Sequence, residues 1–246
     1  MEDPNASLVE RLALTDTLSI FRIRLDQRLD FTPGQYVTLS AVVGLDWVRR
    51  PFSIASADNV PASEIELLVR RAPIGQLTTW MWDVTIPQRV HISVARGRLI
   101  LPSVPDGSLI LVATGSAIAP FAAMVSVPGL GAWHSISVVH GVARADECAY
   151  RQVFEEASLR IDLHYEPTLT RPEDQQSRPW LGRRGRVQPI VGELLGACPP
   201  AEIRLLICGN PSMTADIHEM ALERGLEASH IRLETYWPLA NASPSR

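Results

Sequence analysis

Three short stretches carry side chains suited to gripping a phosphorylated, aromatic ligand. Arg50-Pro51-Phe52-Ser53 alternates along an extended segment, so Arg50 and Phe52 share one face and Pro51 and Ser53 the other. It offers a guanidinium for phosphate, a ring for stacking and a hydroxyl for a hydrogen bond, although an exposed arginine on an ordinary strand has the same pattern. In Thr114-Gly115-Ser116-Ala117-Ile118-Ala119-Pro120-Phe121 an apolar run ends in small residues just where a helix opens. Free N–H groups there suit a phosphate, but the run is not GxGxxG, and many tight strand-to-helix turns look alike. In Ile207-Cys208-Gly209-Asn210-Pro211-Ser212-Met213, Asn210 suits a helix cap, Pro211 the first helical position and Gly225 the helix end. That leaves Cys208 at the carboxyl end of a strand, where α/β sheets place ligands, with a buried inert cysteine as the competing reading.

These stretches need two scaffolds. At 246 residues and 46% hydrophobic content the chain can bury two modest cores. Short Val-, Ile- and Leu-rich runs at 8–14, 18–25, 35–43, 50–57, 64–71 and 89–95 predict an N-terminal six-stranded antiparallel β-barrel. Thr32-Pro33-Gly34 turns the chain before the third run, and 77–82 predicts a short helix plugging one barrel end. Residues 101–107, broken by prolines and glycine, read as a linker. Beyond it, apolar runs at 109–113, 136–139, 161–163 and 203–208 alternate with helical stretches and predict a parallel α/β sheet. The expected domains are 1–102 and 107–246, with 171–186 as a polar surface loop.

All 23 basic residues are arginine against 27 acidic ones, a net charge of -4 that gives no general grip on nucleic acid. Cys148, Cys198 and Cys208 are scattered and odd in number, which fits a reducing compartment rather than a disulfide framework. The start MEDPNASL lacks the basic and apolar regions of a secretory signal, so the expected location is cytoplasmic. Residues 109–133 carry no charge and are long enough to span a membrane, but Gly115, Pro120, Pro128, Gly129 and Gly131 punctuate them; strand, turn and buried helix is the expectation. No CxxxxCxxC pattern exists, which excludes a fused plant-type [2Fe-2S] domain.

Taken together and in this order, the Phe31-Thr32-Pro33-Gly34-Gln35 turn, Arg50-Pro51-Phe52-Ser53, Thr114 to Phe121, His140-Gly141-Val142, Cys208 to Met213 and Glu234-Thr235-Tyr236-Trp237 resemble the bacterial ferredoxin/flavodoxin-NADP(+) reductases of the plant-type ferredoxin-NADP reductase superfamily. The resemblance runs from Phe31 to Tyr236 and implies FAD on the barrel and NADP(H) on the α/β domain. It implies a monomer that passes hydride from NADPH to flavin N5 and electrons singly to ferredoxin or flavodoxin, the protein supplying position and electrostatics and the flavin the chemistry.

By that resemblance Arg50 contacts the FAD pyrophosphate, Phe52 packs on the flavin in place of a tyrosine, and Ser53 sits near N5. Gly75-Gln76-Leu77-Thr78 is similar to the second flavin motif, with Gly75, Leu77 and Thr78 at the phosphate. Tyr236 stacks on the ring system, Trp237 is the candidate for stacking on the adenine, and Ser53, Cys208, Glu234 and Tyr236 shape the reaction centre. For NADP(H), Thr114, Gly115 and Ser116 face the pyrophosphate, Asn210 and Met213 lie beside it, and Arg171, Arg186 and Arg144 take the 2′-phosphate. Arg49, Arg70 and Arg71 are candidates for steering an acidic partner, or plain solvated strand residues. The competing readings are a flavin or ferric-siderophore reductase, the reductase subunit of a larger complex, and a catalytically silent nucleotide-binding module, which would be colourless.

Overall fold

The computed structural model describes residues 2–56 and 61–236. The chain runs through β1 (Ala6–Thr15), β2 (Leu18–Leu29), β3 (Tyr36–Val43), β4 (Asp46–Ser53), β5 (Ala62–Arg70), α1 (Gln76–Asp83) and β6 (Gln88–Ile92). It continues through β7 (Ser108–Thr114), α2 (Ala119–Val125), β8 (Ser135–Val142), α3 (Arg151–Ser158), β9 (Leu163–Leu169), β10 (Arg183–Arg184), α4 (Val187–Ala197), β11 (Ile203–Gly209), α5 (Pro211–Glu223) and β12 (Ile231–Thr235).

The first six strands pair antiparallel in the order β4-β3-β6-β1-β2-β5. Alternation sets their two faces: Leu8, Phe21, Ile23, Ile65 and Leu67 are buried, while Arg22 and Arg24 point out to Glu10, Glu66 and Glu64. Each large apolar side chain fully buried this way contributes about 1.5–3 kcal/mol. The sheet curls until its edge strands meet at the Ile54–Leu67 bridge, where Ala55 N–H also donates to Glu66 O at 2.8 Å. α1 closes one end with buried Leu77 and Met81.

The other six strands are parallel, in the order β10-β9-β8-β7-β11-β12. Leu109, Leu111, Val138 and Leu206 pack with Phe121 of α2 and Phe154 of α3 on one face. Ile110, Val112, Val139 and Ile207 pack with Val191 of α4 and Ile217 of α5 on the other. β7 and β11 are covered on both sides, which is why they read as unbroken apolar runs. The winding direction reverses between β7 and β11, opening a crevice at the carboxyl ends of these strands.

Several expected bounds shift. β4 starts at Asp46 rather than 50, because a hairpin pairing Val43 with Asp46 turns at Gly44, whose φ is +65°. The far end of the expected 50–57 run lies outside the described residues. The 161–163 run is only the entry to β9, whose sequence LHYEPTL mixes polar residues and a proline because β10 covers it at just two positions, Thr168 and Leu169. The loop 171–186 holds β10 and a short 3-10 turn. The uncharged stretch 109–133 becomes β7, a 3-10 turn and α2; among the described residues no helix is long and apolar enough to cross a membrane.

Polar contacts join the sheets. Arg204 pairs with Asp106 at 2.8 Å, and Arg232 donates to Ile100 O, pinning the connecting segment to β11 and β12. Arg70 of β5 pairs with Glu147 at 2.9 Å, and Tyr150 O–H donates to Glu66 at 3.3 Å. Tyr150 adopts φ +59°, a strained left-handed conformation held by that contact and by packing against the sheet core.

Candidate active site and nucleotide cleft

The ends of three strands converge on one small polar centre. β4 ends in buried Ser53, β11 delivers fully buried Cys208, and β12 pairs Glu234 directly beside Cys208. Tyr236 follows, tied by its N–H to Gly209 O at 2.9 Å. Ser53 Oγ lies 3.4 Å from Glu234 Oε1 and 3.1 Å from the Tyr236 hydroxyl. A carboxylate only accepts, so the Ser53 proton goes to Glu234 and Tyr236 donates to Ser53, giving a directed chain Tyr236 to Ser53 to Glu234. The four residues singled out by sequence thus meet in space, although Ser53 and Tyr236 are 183 positions apart.

Burial sets their protonation. It raises the Glu234 carboxyl above the usual range, with the Ser53 hydrogen bond opposing it. Burial and the neighbouring Glu234 push Cys208 well above the ordinary thiol value, so the sulfur is a neutral packing group rather than a thiolate nucleophile. Tyr236 is likewise pushed well up, chiefly by burial.

On the β4 side, Arg50 is exposed and its guanidinium donates to Arg49 O at 2.7 Å. Phe52 is half-buried and packs on the barrel core. α1 begins at Gly75 with no side-chain cap and no acidic residue in its first turn, so its first N–H groups have no partner within the helix. The Thr78 hydroxyl is engaged locally, accepting from Ala72 N–H at 3.1 Å and donating to Gly75 O at 3.2 Å. Leu77 is buried, leaving only its backbone for a ligand. An exposed guanidinium with no carboxylate partner among the described contacts, an uncapped helix start and a half-buried ring form a set that fits a flavin dinucleotide. Trp237 lies outside the described residues.

A cleft of about 240 Å³ opens at the carboxyl ends of β7, β8 and β11. Thr114, Gly115, Arg186, Asn210 and Met213 line it. Thr114 Oγ1 accepts from Asn210 N–H at 3.1 Å, and Gly209, at φ +139°, would place a Cβ 2.2 Å from that oxygen, so the two loops meet too closely for any side chain there. The Asn210 side chain caps α5 by accepting from Ser212 and Met213 N–H. Ser116, Arg144 and Arg171 are not in the cleft wall. The Arg144 guanidinium is held by Asp146 and Glu147, each at 3.2 Å. Arg70 pairs with Glu147 at 2.9 Å and keeps 36% of its side chain exposed.

Sequence reasoning missed Gly141, Glu147 and Gln188 in the cleft wall. Glu147 is the acidic residue there, and both its oxygens are taken, one by Arg70 and one by Arg144. Its pairing with Arg70, 77 positions away, leaves no local trace. Small loops, an unpaired Arg186 among the described contacts and no free carboxylate for a bare ribose fit a phosphorylated dinucleotide.

Comparison with known proteins agrees. Residues 5–100 match the family model for the oxidoreductase FAD-binding domain, and residues 111–219 that for the oxidoreductase NAD-binding domain. The chain is 30% identical to ferredoxin–NADP reductase B of Sorangium cellulosum over 84% of its own length and 85% of the relative's. It is 25% identical, over 91% of its length and 66% of the relative's, to the ferredoxin–NAD(P)(+) reductase component of the naphthalene 1,2-dioxygenase/salicylate 5-hydroxylase systems of a Ralstonia species. A ferredoxin NADP+ reductase from Neisseria gonorrhoeae, solved with bound FAD and NADP, has the same fold, with a TM-score of 0.81 at 22% identity over 96% of this chain and 99% of that one. The chain belongs to the ferredoxin–NADP reductase family, as an oxidoreductase whose cofactors are FAD and NAD(P)(H).

Proposed function

We propose that the protein is a cytoplasmic ferredoxin- or flavodoxin-NADP(+) reductase with a flavin domain at 1–102 and a dinucleotide domain at 107–246. The observation that carries this reading is the meeting of Ser53, Cys208, Glu234 and Tyr236 at the ends of strands from both sheets. When bound, FAD accepts a hydride from NADPH and releases electrons one at a time to a carrier protein.

The chain's own residues position and shield. Arg50 and the first N–H groups of α1, from Gly75 to Thr78, hold the FAD pyrophosphate, and Phe52 packs on the flavin. Tyr236 would cover a bound flavin ring and would have to move aside for a nicotinamide to reach it. Ser53 then keeps a hydroxyl at the reacting edge, polarised by Glu234, and the neutral Cys208 excludes water beside it. Thr114 and Gly115 of the cleft wall seat the dinucleotide pyrophosphate with the adjoining Ser116, beside Asn210 and Met213, while Arg186 of the wall, with Arg171 next to the wall residue Thr170, takes the 2′-phosphate. The absence of an unpaired carboxylate among the described cleft residues supports NADP(H) over NAD(H).

The likeness to the Ralstonia reductase component favours one second reading, service to an oxygenase system. Steady-state NADPH oxidation with ferredoxin, flavodoxin, free flavin and ferric chelates as acceptors separates them. Ferredoxin or flavodoxin supporting the highest kcat/KM upholds the proposal, whereas preference for free flavin or ferric chelate overturns it.

A further inference from the structure

His140 is the fully buried polar side chain of β8, and the reaction scheme above does not use it. Its Nε2 lies 2.9 Å from Gly115 O and its Nδ1 2.9 Å from the Tyr165 hydroxyl. A carbonyl only accepts, so Nε2 carries the proton and Nδ1 accepts from Tyr165 O–H. Tyr165 is itself fixed by stacking on Phe154, with ring centroids 4.9 Å apart and planes 11° apart. Burial drops the His140 pKa to about 4, so the imidazole is neutral at physiological pH and adds no charge.

This relay grips one peptide of the dinucleotide cleft. Gly115 lines that cleft, has φ +57°, which suits glycine, and opens the 3-10 turn Gly115–Ile118. The Gly115–Ser116 peptide is trans, so its C=O and N–H point in opposite directions. With the carbonyl turned to His140, the Ser116 N–H points away from it. Resting on the proposed seat of the pyrophosphate at Thr114 to Ser116, we propose that His140 is a positioning residue for the dinucleotide. It holds the Gly115–Ser116 peptide with its N–H, and not its carbonyl oxygen, toward the pyrophosphate. Without His140 the carbonyl loses its side-chain donor, and any turn of it toward the cleft would present a partial negative charge to an anion.

Binding of two ligands to the FAD-loaded protein tests this by titration: NADP+, and adenosine 2′-phosphate, which has the 2′-phosphate but no pyrophosphate. His140→Leu should raise the Kd for NADP+ about 10–100-fold, the cost of one mis-set donor, and leave adenosine 2′-phosphate unchanged. His140→Gln, whose amide N–H can reach Gly115 O, should recover most of the loss. If His140→Leu folds poorly, Tyr165→Phe serves instead, removing the donor that fixes the tautomer, and should weaken NADP+ several-fold alone. Wild-type binding of both ligands by His140→Leu and Tyr165→Phe, or equal loss of both ligands, overturns the inference. Arg186→Ala is the separate control: it should weaken both ligands, and if it weakens neither, the reading of the cleft itself falls.

Discussion

His140 makes the protein sensitive to acid in a defined window. The folded-state pKa of about 4 lies below the ordinary 6.5, because burial penalises the charged ring. Below pH 6.5 the unfolded chain therefore binds a proton that the folded chain refuses. Stability contributed by the neutral ring is complete above pH 6.5, falls as pH drops, and is gone near pH 4. At about 1.4 kcal/mol per pH unit, the fall from 6.5 to about 4 amounts to about 3 kcal/mol, and about 2 kcal/mol of it is lost by pH 5. Other groups move toward the same range: the Glu234 carboxyl is raised above its usual value by burial, with the Ser53 hydrogen bond opposing it. The useful quantity is therefore the stability of His140→Gln minus that of the wild type, from urea unfolding at fixed FAD concentration between pH 7 and 4. That difference should shift in favour of the variant by about 3 kcal/mol across the range. A difference that is the same at every pH refutes the argument, because a ring with an ordinary pKa in the fold would give that result.

Three other outcomes follow from the site. Arg186→Ala and Arg171→Ala should each raise the KM for NADPH about 10-fold or more with little change for NADH, measured by steady-state kinetics; equal effects on both removes them from the 2′-phosphate. Ser53→Ala should slow flavin reduction by NADPH about 10–100-fold with FAD retained, in stopped-flow absorbance. It should also move the Glu234 ionisation to still higher pH, since the lost hydrogen bond favours the charged carboxylate. Gly209→Ala places a methyl 2.2 Å from Thr114 Oγ1 at φ +139° and should cost about 2–4 kcal/mol, read as a lower urea midpoint.

How far the sequence disclosed all this varied with the environment of each element. β7 and β11 are buried on both faces, so burial wrote long apolar runs that stand out in the sequence. β9, shielded by only two residues of β10, alternates too weakly to stand out, and the edge strand β12 is short and half-exposed. The tip of the β3–β4 hairpin carries a fully exposed leucine, Leu45, which masks the turn. The reaction centre was legible because each of its members closes a strand in a recognisable run, even though hydrogen bonds join them across 181 and 183 positions. The Arg70–Glu147–Arg144 network and the His140 grip on Gly115 were not, because they depend on how two sheets and two loops come together. Arg144 shows the cost: a cation in the right neighbourhood by sequence is spent on adjacent carboxylates in space.

The central claim is a flavin between a dinucleotide and a one-electron carrier. The most direct measurement is the visible spectrum of the purified protein during anaerobic addition of NADPH and, separately, NADH. A two-banded yellow spectrum that NADPH bleaches much faster than NADH is the expected result. A colourless protein that takes up no added FAD, or a yellow one that neither nucleotide bleaches, would contradict it.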